Sequence, residues 1–208
     1  RASIEAAAAL RAVDPRARLV HAEPLIHIAV DPARRRDRAA AARYREAQFE
    51  AWDMLAGRSA PELGGHPDCL DVVGVNYYPR NQWVHRGRTL PPGDPLHRPL
   101  RRLLAEVHAR YGRPIVVAET GTEDDARAAW LRHVGREVRL ARRAGVPVEG
   151  ICLYPILNHP GWDDDRHCHN GLWDYADAAG RRAVHGPLAR ELRRQQRLLG
   201  DAGVGIGG

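Results

Sequence analysis

Apolar residues along this chain recur with two different periods, and the two alternate. Ile4, Ala7 and Ala8, and later Tyr44, Ala47, Ala51, Met54 and Leu55, return at helical spacing, whereas Arg18 to Pro24 and Leu70 to Tyr78 are short runs that close on polar side chains. The pattern predicts a helix over about 3–13, capped by Ser3 and ended by Pro15, and a strand over 18–24. A second helix over about 36–56, closed by Gly57, and a strand over 70–78 follow. Residues 79–97 carry Pro79, Pro91, Pro92 and Pro95 with Gly87 and Gly93, which predicts a long loop without a regular element; loops of that length are more often functional than idle.

Pro99 opens a third helix, in which Leu100, Leu103, Leu104, Val107 and Tyr111 share one face and Gly112 stands just past the end. Pro114 to Gly121 is then a run of mostly β-branched residues, the signature of a strand buried on both faces, and Glu119 is its first charged residue. Asp124 or Asp125 is the expected cap of a helix carrying Leu131, Val134, Val138 and Ala141 up to Gly145, and Gly150 to Tyr154 reads as a fourth strand. A polar and aromatic loop from His159 to Trp173 leads to a last helix near 186–199, and residues 200–208 form a glycine-rich segment expected to be a flexible tail. Helices alternating with short buried strands imply a parallel sheet with right-handed crossovers. Four strands are half of a (β/α)8 barrel, the α/β architecture favoured over a doubly wound sheet because polar groups stand at all four strand ends and no G-x-G-x-x-G follows a strand.

Composition narrows the class. A chain of 208 residues with 44% hydrophobic and 28% charged residues can bury one sizeable core, and no apolar run reaches the roughly 18 to 20 residues of a membrane span. The net charge of +6 invites a nucleic-acid reading, but every basic residue is Arg and no aromatic-interleaved basic motif accompanies the charge, so neither nucleic acid nor membrane is expected as a partner. Cys69, Cys152 and Cys168 are odd in number and widely spaced, which argues against a disulfide framework and for a reducing, cytoplasmic setting. The start lacks a signal-peptide pattern, and a chain that opens at Arg1 inside a helical stretch is expected to lack residues upstream.

A carboxylate at the mouth of a buried parallel strand is where α/β barrels place their chemistry; an ion-paired strand-end Glu is the plain alternative for Glu119. Three segments weigh on that choice. Leu70 to Tyr78 resembles the D-x-x-G-x-N-Y-Y strand of family 1 glycoside hydrolases, the β-glucosidase-like enzymes. Pro114 to Gly121 resembles their P-I-x-I-T-E-N-G strand, and Val146 to Trp162 their G-V-x-x-x-G-Y-x-x-W-S-L-L-D-N-F-E-W segment, in the same order and spacing. The resemblance covers roughly residues 1–200 and implies a (β/α)8 barrel of which residues 1–199 supply the fifth to eighth β/α units. The N-terminal half of the same barrel is then the implied partner, and a carbohydrate or glycoside the implied substrate.

Carried over by position, the resemblance makes Glu119 the nucleophile of a retaining hydrolase, Tyr78 the phenol that touches it, and Asn76 part of the sugar-binding floor. It implies that the acid/base Glu, part of an Asn-Glu-Pro motif, lies upstream. His21-Ala22-Glu23-Pro24 mimics that motif without its Asn and one strand too late, so Glu23 is expected as a polar strand-end residue near the site, with acid/base as the alternative, and His21 as a substrate contact. Trp162 matches a tryptophan able to stack on a sugar ring. Tyr154 stands where the family has Trp, Thr120 where it has Asn, and Gly161 where it has a Glu that reads two hydroxyls, a task open to Asp163 or Asp164.

Two further chemistries compete. His159, Asp163, Asp164, Asp165, His167, Cys168 and His169 are enough donors for zinc, yet they lack a C-x-x-C or H-E-x-x-H frame, and the expectation is no metal and no cofactor. Ser3 and Ser59 stand in no nucleophile elbow. Trp83 is placed either at the rim of the site or in packing under the long loop. The reading is a retaining, β-glucosidase-like glycoside hydrolase, inactive as an isolated half-barrel, with a carbohydrate-binding barrel without turnover and a metal-assisted hydrolase as the rivals.

Overall fold

A computed structural model describes residues 1–200. The expected strands form one parallel sheet in the order β1 (Val20–Pro24), β3 (Val72–Asn76), β5 (Ile115–Thr120) and β6 (Val148–Leu153). Helices α1 (Ala2–Val13), α2 (Arg38–Glu46), α3 (Glu50–Leu55), α4 (Leu100–Tyr111), α5 (Ala126–Arg143) and α6 (Gly186–Gly200) precede, separate and follow these strands. This is half of the barrel that the alternation predicts. The glycine-rich tail expected from residue 200 begins with Gly200 as the end of α6, and its remainder, 201–208, lies outside the described residues.

One face of the sheet holds the core. Val73, Val75, Ile115 and Val117 are fully buried against Trp52, Leu104, Val107, Trp130, Val134 and Val138 of the helices, as the near-continuous apolar runs of a parallel sheet require. The other face is lined by small residues. A Cβ on Gly74 would come within 2.9 Å of the Ala22 Cβ, so the concave side of β3 tolerates glycine best. β1 and β6 are the two edges of this sheet, and Val20 at the first edge is 51% exposed.

Several local expectations are corrected. Ser3 lies inside α1, whose cap position is Arg1, and Asp125 sits at the α5 cap position without a capping hydrogen bond. The helix expected over 36–56 is broken by 3-10 turns at Pro32–Asp37 and Ala47–Phe49, and its buried stripe is Ala41, Phe49, Trp52 and Leu55. Tyr44 is 55% exposed instead, and the buried rings are those of Phe49 and Trp52, whose Nε1 donates to the His21 carbonyl at 2.9 Å.

The 79–97 segment holds one regular element. Its β4 (Gln82–Val84) pairs in parallel with β2 (His27–Ala29), and β4 is hidden in the sequence by the buried Gln82, whose amide donates to Tyr77 Oη and the Arg98 carbonyl. Trp83 packs edge-on against Tyr44 at 5.9 Å. The polar loop after β6 contains β7 (His159–Pro160) paired with β8 (His167–Cys168), followed by β9 (Trp173–Ala176) and β10 (Arg182–Val184), all too short for periodicity to reveal. Among the described residues no helix is long and apolar enough to cross a membrane, and Cys69, Cys152 and Cys168 are all free thiols.

Candidate active site

A one-residue irregularity in β5 builds the site. Val75 pairs with Val117, but Asn76 pairs with Glu119, so Ala118 is an extra residue in the ladder; the same slip separates Val117 and Thr120 against β6. A bulge re-aims the side chain beyond it. Here it turns Glu119 onto the concave face beside Asn76, while Thr120 is buried on the helix face, where its hydroxyl donates to the Tyr77 carbonyl at 2.7 Å and accepts from Trp130 Nε1 at 2.9 Å.

Tyr77 and Tyr78 divide between the two faces by simple alternation. The Tyr77 ring stacks on Trp130 at 5.6 Å and 19°, and Tyr78 points the other way, its hydroxyl donating to Glu119 Oε2 at 2.9 Å. Burial first, and then the Glu119 carboxylate accepting its hydrogen bond, push the Tyr78 phenol well above its usual range, so it stays protonated and has a proton to donate to Glu119. Asn81 clamps the ends of β1 and β3: its Nδ2 donates to the Leu25 and Asn76 carbonyls at 3.0 Å each, and its Oδ1 accepts from the Tyr78 N–H at 3.2 Å. Asn81 was not among the expected site residues. A lone Asn inside a proline-rich loop carries no periodic signal that would have found it.

Above this pair lies a cavity of about 610 Å3, and Tyr78, Glu119, Tyr154, Trp162 and Asp163 all line it. Gly121 sits at its floor, where a Cβ would meet the Tyr154 carbonyl oxygen at 2.0 Å; only glycine lets the ends of β5 and β6 close together. Trp162 is 85% exposed and is held by an edge contact to His159 at 6.1 Å, while His159 Nε2 lies 3.1 Å from Asn170 Nδ2. Asp164 Oδ1 stands 1.9 Å from where a Cβ on Gly161 would be, so Asp164 fills the side-chain space that Gly161 leaves open. Glu123 accepts two hydrogen bonds from Arg166, at 2.6 and 3.0 Å, which tie the β5 loop to the β7–β8 hairpin at the rim and hold the Glu123 carboxyl below its ordinary value.

The structure does not bring every expected residue to the cavity. Asn76 is in register with Glu119 on the concave face but does not line the cavity, and its Oδ1 is buried without a hydrogen-bond partner among the described residues. His21 and Glu23, both expected at or near the site, are corrections. His21 pairs with Val73 and Glu23 with Val75, both core residues, so the two side chains lie on the helix face; His21 Nε2 is 2.7 Å from Glu23 Oε1, and Glu23 lines a groove with Tyr44 and Met54. The polar loop does not assemble a metal site either. His167 stacks on Tyr175 at 4.6 Å, His169 lies 3.6 Å from Asp174, and among the described residues no group of three or more His, Cys, Asp or Glu side chains converges.

The fold and this arrangement define the chain as part of a (β/α)8 barrel with a tyrosine-held carboxylate on the concave side of its strand ends. The solved structures it is similar to include β-glucosidases. The β-glucosidase of Thermotoga maritima in complex with glucoimidazole matches 94% of this chain at 14% identity with a TM-score of 0.73, the chain covering 54% of that structure. The β-glycosidase of Thermosphaera aggregans matches 95% at 20% identity and a TM-score of 0.69, with 49% of that structure covered. The AHE enzyme of Alicyclobacillus herbarius matches 94% at 18% identity and a TM-score of 0.74, with 55% covered. The chain therefore spans about half the length of the structures it matches, some of them described as family 1 β-glucosidases. No family model matches the sequence, and no curated protein matches it either.

Proposed function

We propose that the chain is the C-terminal half of a β-glucosidase-like glycoside hydrolase that cleaves O-glycosidic bonds with retention. The observation that carries this reading is the 2.9 Å hydrogen bond from Tyr78 Oη to Glu119 Oε2 at the edge of a cavity of about 610 Å3, a size that suits a small-molecule ligand. Glu119 attacks the anomeric carbon, the glycosidic C–O bond breaks, and a covalent glycosyl ester forms on one carboxylate oxygen. The Tyr78 hydrogen bond leaves the other oxygen of Glu119 free to attack and keeps the carboxylate oriented. A second carboxyl, about 5 to 5.5 Å away in retaining enzymes, protonates the departing oxygen and then takes a proton from the water that cleaves the ester. Glu23 faces the helices, so that group comes from the N-terminal half of the barrel. Asn76, Tyr154, Trp162 and Asp163 are the proposed sugar contacts, with Trp162 and Tyr154 offering ring faces to a pyranose. No cofactor enters this chemistry. The three free cysteines suit a reducing, cytoplasmic setting.

A mechanism-based 2-fluoro glycoside, incubated with the protein carrying both barrel halves, is expected to add one sugar mass that peptide mapping places on Glu119. Labelling elsewhere, or hydrolysis that persists in the Glu119→Gln protein, overturns the assignment. The location of Glu23 on the far face favours a second reading for this chain alone, a carbohydrate-binding half-barrel without turnover. Sugar binding without fluorosugar labelling, even when both halves are present, would extend that reading to the whole protein.

A further inference from the structure

We propose that a second cavity, beside the small β2–β4 sheet, is a binding site for a small ligand carrying a phosphate or sulfate group. The inference is independent of the glycosidase reading. The cavity has a volume of about 360 Å3 and is formed between the segment after β2 and the turn after β4. Three arginines from these two segments, Arg34, Arg86 and Arg88, line it together with His85. Two acids belong to the same region: Asp31, which also lines the cavity and whose Oδ1 accepts the Ala33 N–H at 2.9 Å, and Asp94, which pairs with Arg88 while accepting the Leu96 N–H at 2.9 Å. The side chains of Arg34 and Arg86 make no hydrogen bond or ion pair among the described residues.

Arg34 and Arg86 come to the cavity from two different segments, and an oxyanion that accepts from both guanidinium groups gains charge-assisted hydrogen bonds. The backbone places Arg86 there at some cost, in a left-handed φ of +54° that non-glycine residues seldom take. His85 lines the cavity with a side chain that is only 10% exposed; its Nδ1, buried and without a hydrogen-bond partner among the described residues, lies 4.0 Å from Asp37 Oδ2. Val84 and Leu96 complete the wall with apolar surface, which suits an ester's organic part.

The cavity stands at the same end of the sheet as Glu119. β2 and β4 continue directly from the C-terminal ends of β1 and β3, and the Asn81 side chain ties both ends together. The ligand is thus seated on the mouth side of the barrel, on a subsheet of its own.

Titration of the chain with inorganic phosphate and with sodium sulfate, at ionic strength held constant with sodium chloride, tests the site by calorimetry and by the His85 ring resonances. The expected result is saturable binding of one anion per chain, with the His85 resonances shifting along the same isotherm. In the Arg34→Ala/Arg86→Ala protein the affinity is expected to fall at least tenfold, and in the Arg35→Ala/Arg36→Ala control to stay within twofold. Circular dichroism checks that both proteins are folded; if the alanine pair is not, Arg34→Gln and Arg86→Gln singly are each expected to weaken binding at least threefold. Chloride matching phosphate, no saturation, or equal losses in the test and control variants would overturn the proposal.

Discussion

Glu23 and Glu119 face opposite sides of one parallel sheet. Glu23 is in register with Val75 on the helix-covered face, and Glu119 with Asn76 on the concave face, the bulge at Ala118 having turned it there. The Glu-Pro pair of β1 therefore cannot protonate a glycosidic oxygen beside Glu119. The isolated chain is expected to release no nitrophenol from 4-nitrophenyl glycosides above the buffer rate, while the protein with both barrel halves turns them over. Glu23→Gln in that protein is expected to change kcat by less than about threefold, since the residue touches only His21 and the α2–α3 groove. Turnover by the half-barrel, or a large loss in Glu23→Gln, would contradict the division of labour between the halves.

Tyr78→Phe isolates the hydrogen bond to Glu119. A bond to a charged acceptor contributes about 1.5–3 kcal/mol, so kcat/KM in the complete protein is expected to fall roughly ten- to hundredfold. The ring packing survives the change, and the melting temperature is expected to move by only a few degrees. An unchanged kcat/KM would show that the phenol does not orient the nucleophile.

Much of this arrangement was legible in the sequence, and the parts that were not have identifiable causes. The two central strands, β3 and β5, announce themselves because they are packed under helices and must be apolar along most of their length, and Glu119 stands out as the charge that ends such a run. Tyr78 follows from alternation once Asn76 is placed. His21 was misplaced because a strand end was read as pointing into the site, whereas pairing with Val73 sends its side chain to the helices. Only the register between strands carries that information. β2 and β4 escaped notice because three residues hold no period and Gln82, buried and bonded, looks like a surface residue. The substitute for the side chain absent at Gly161 was narrowed to Asp163 or Asp164, and the fold of the hairpin puts Asp164 in that space.

Gly121→Ala tests the joint between β5 and β6. The added methyl would lie 2.0 Å from the Tyr154 carbonyl oxygen, a clash with backbone on both sides that no rotamer relieves. Forcing the strands apart is expected to cost about 1–3 kcal/mol, the range of overpacked interiors, and to reduce sugar binding because Tyr154 moves with it. Gly112→Ala is the comparison. Gly112 has a φ of +65° with nothing within 4 Å of its would-be Cβ, so the loss there is the left-handed penalty alone, about 1 kcal/mol, with no effect on binding. Urea denaturation measures both stabilities. Equal losses without a binding defect in Gly121→Ala would remove the close approach as an explanation for that glycine.

His27 gives the chain an acid-sensitive limb whose sign follows from its surroundings. Its pKa is lowered from 6.5 to about 4, by burial first and then by the nearby positive charges of Arg45 and Arg98, against the opposing pull of Glu106. Its Nδ1 is also buried without a partner. In the unfolded chain the imidazole takes up a proton near its ordinary pKa, while the folded form does not until about pH 4. Between these values the unfolded state binds more protons, so stability rises with pH. The contribution is complete above about 6.5 and is lost as the solution is acidified towards 4. His97, His133 and His185 are shifted in the same direction, each mainly by burial, so the wild-type curve sums several such terms and the variant isolates one. His27→Gln keeps a polar side chain of similar reach without a titrating proton. Urea midpoints recorded every half unit from pH 5 to 7.5 are expected to fall less steeply on acidification in His27→Gln than in the parent, and parallel curves would place the titration elsewhere.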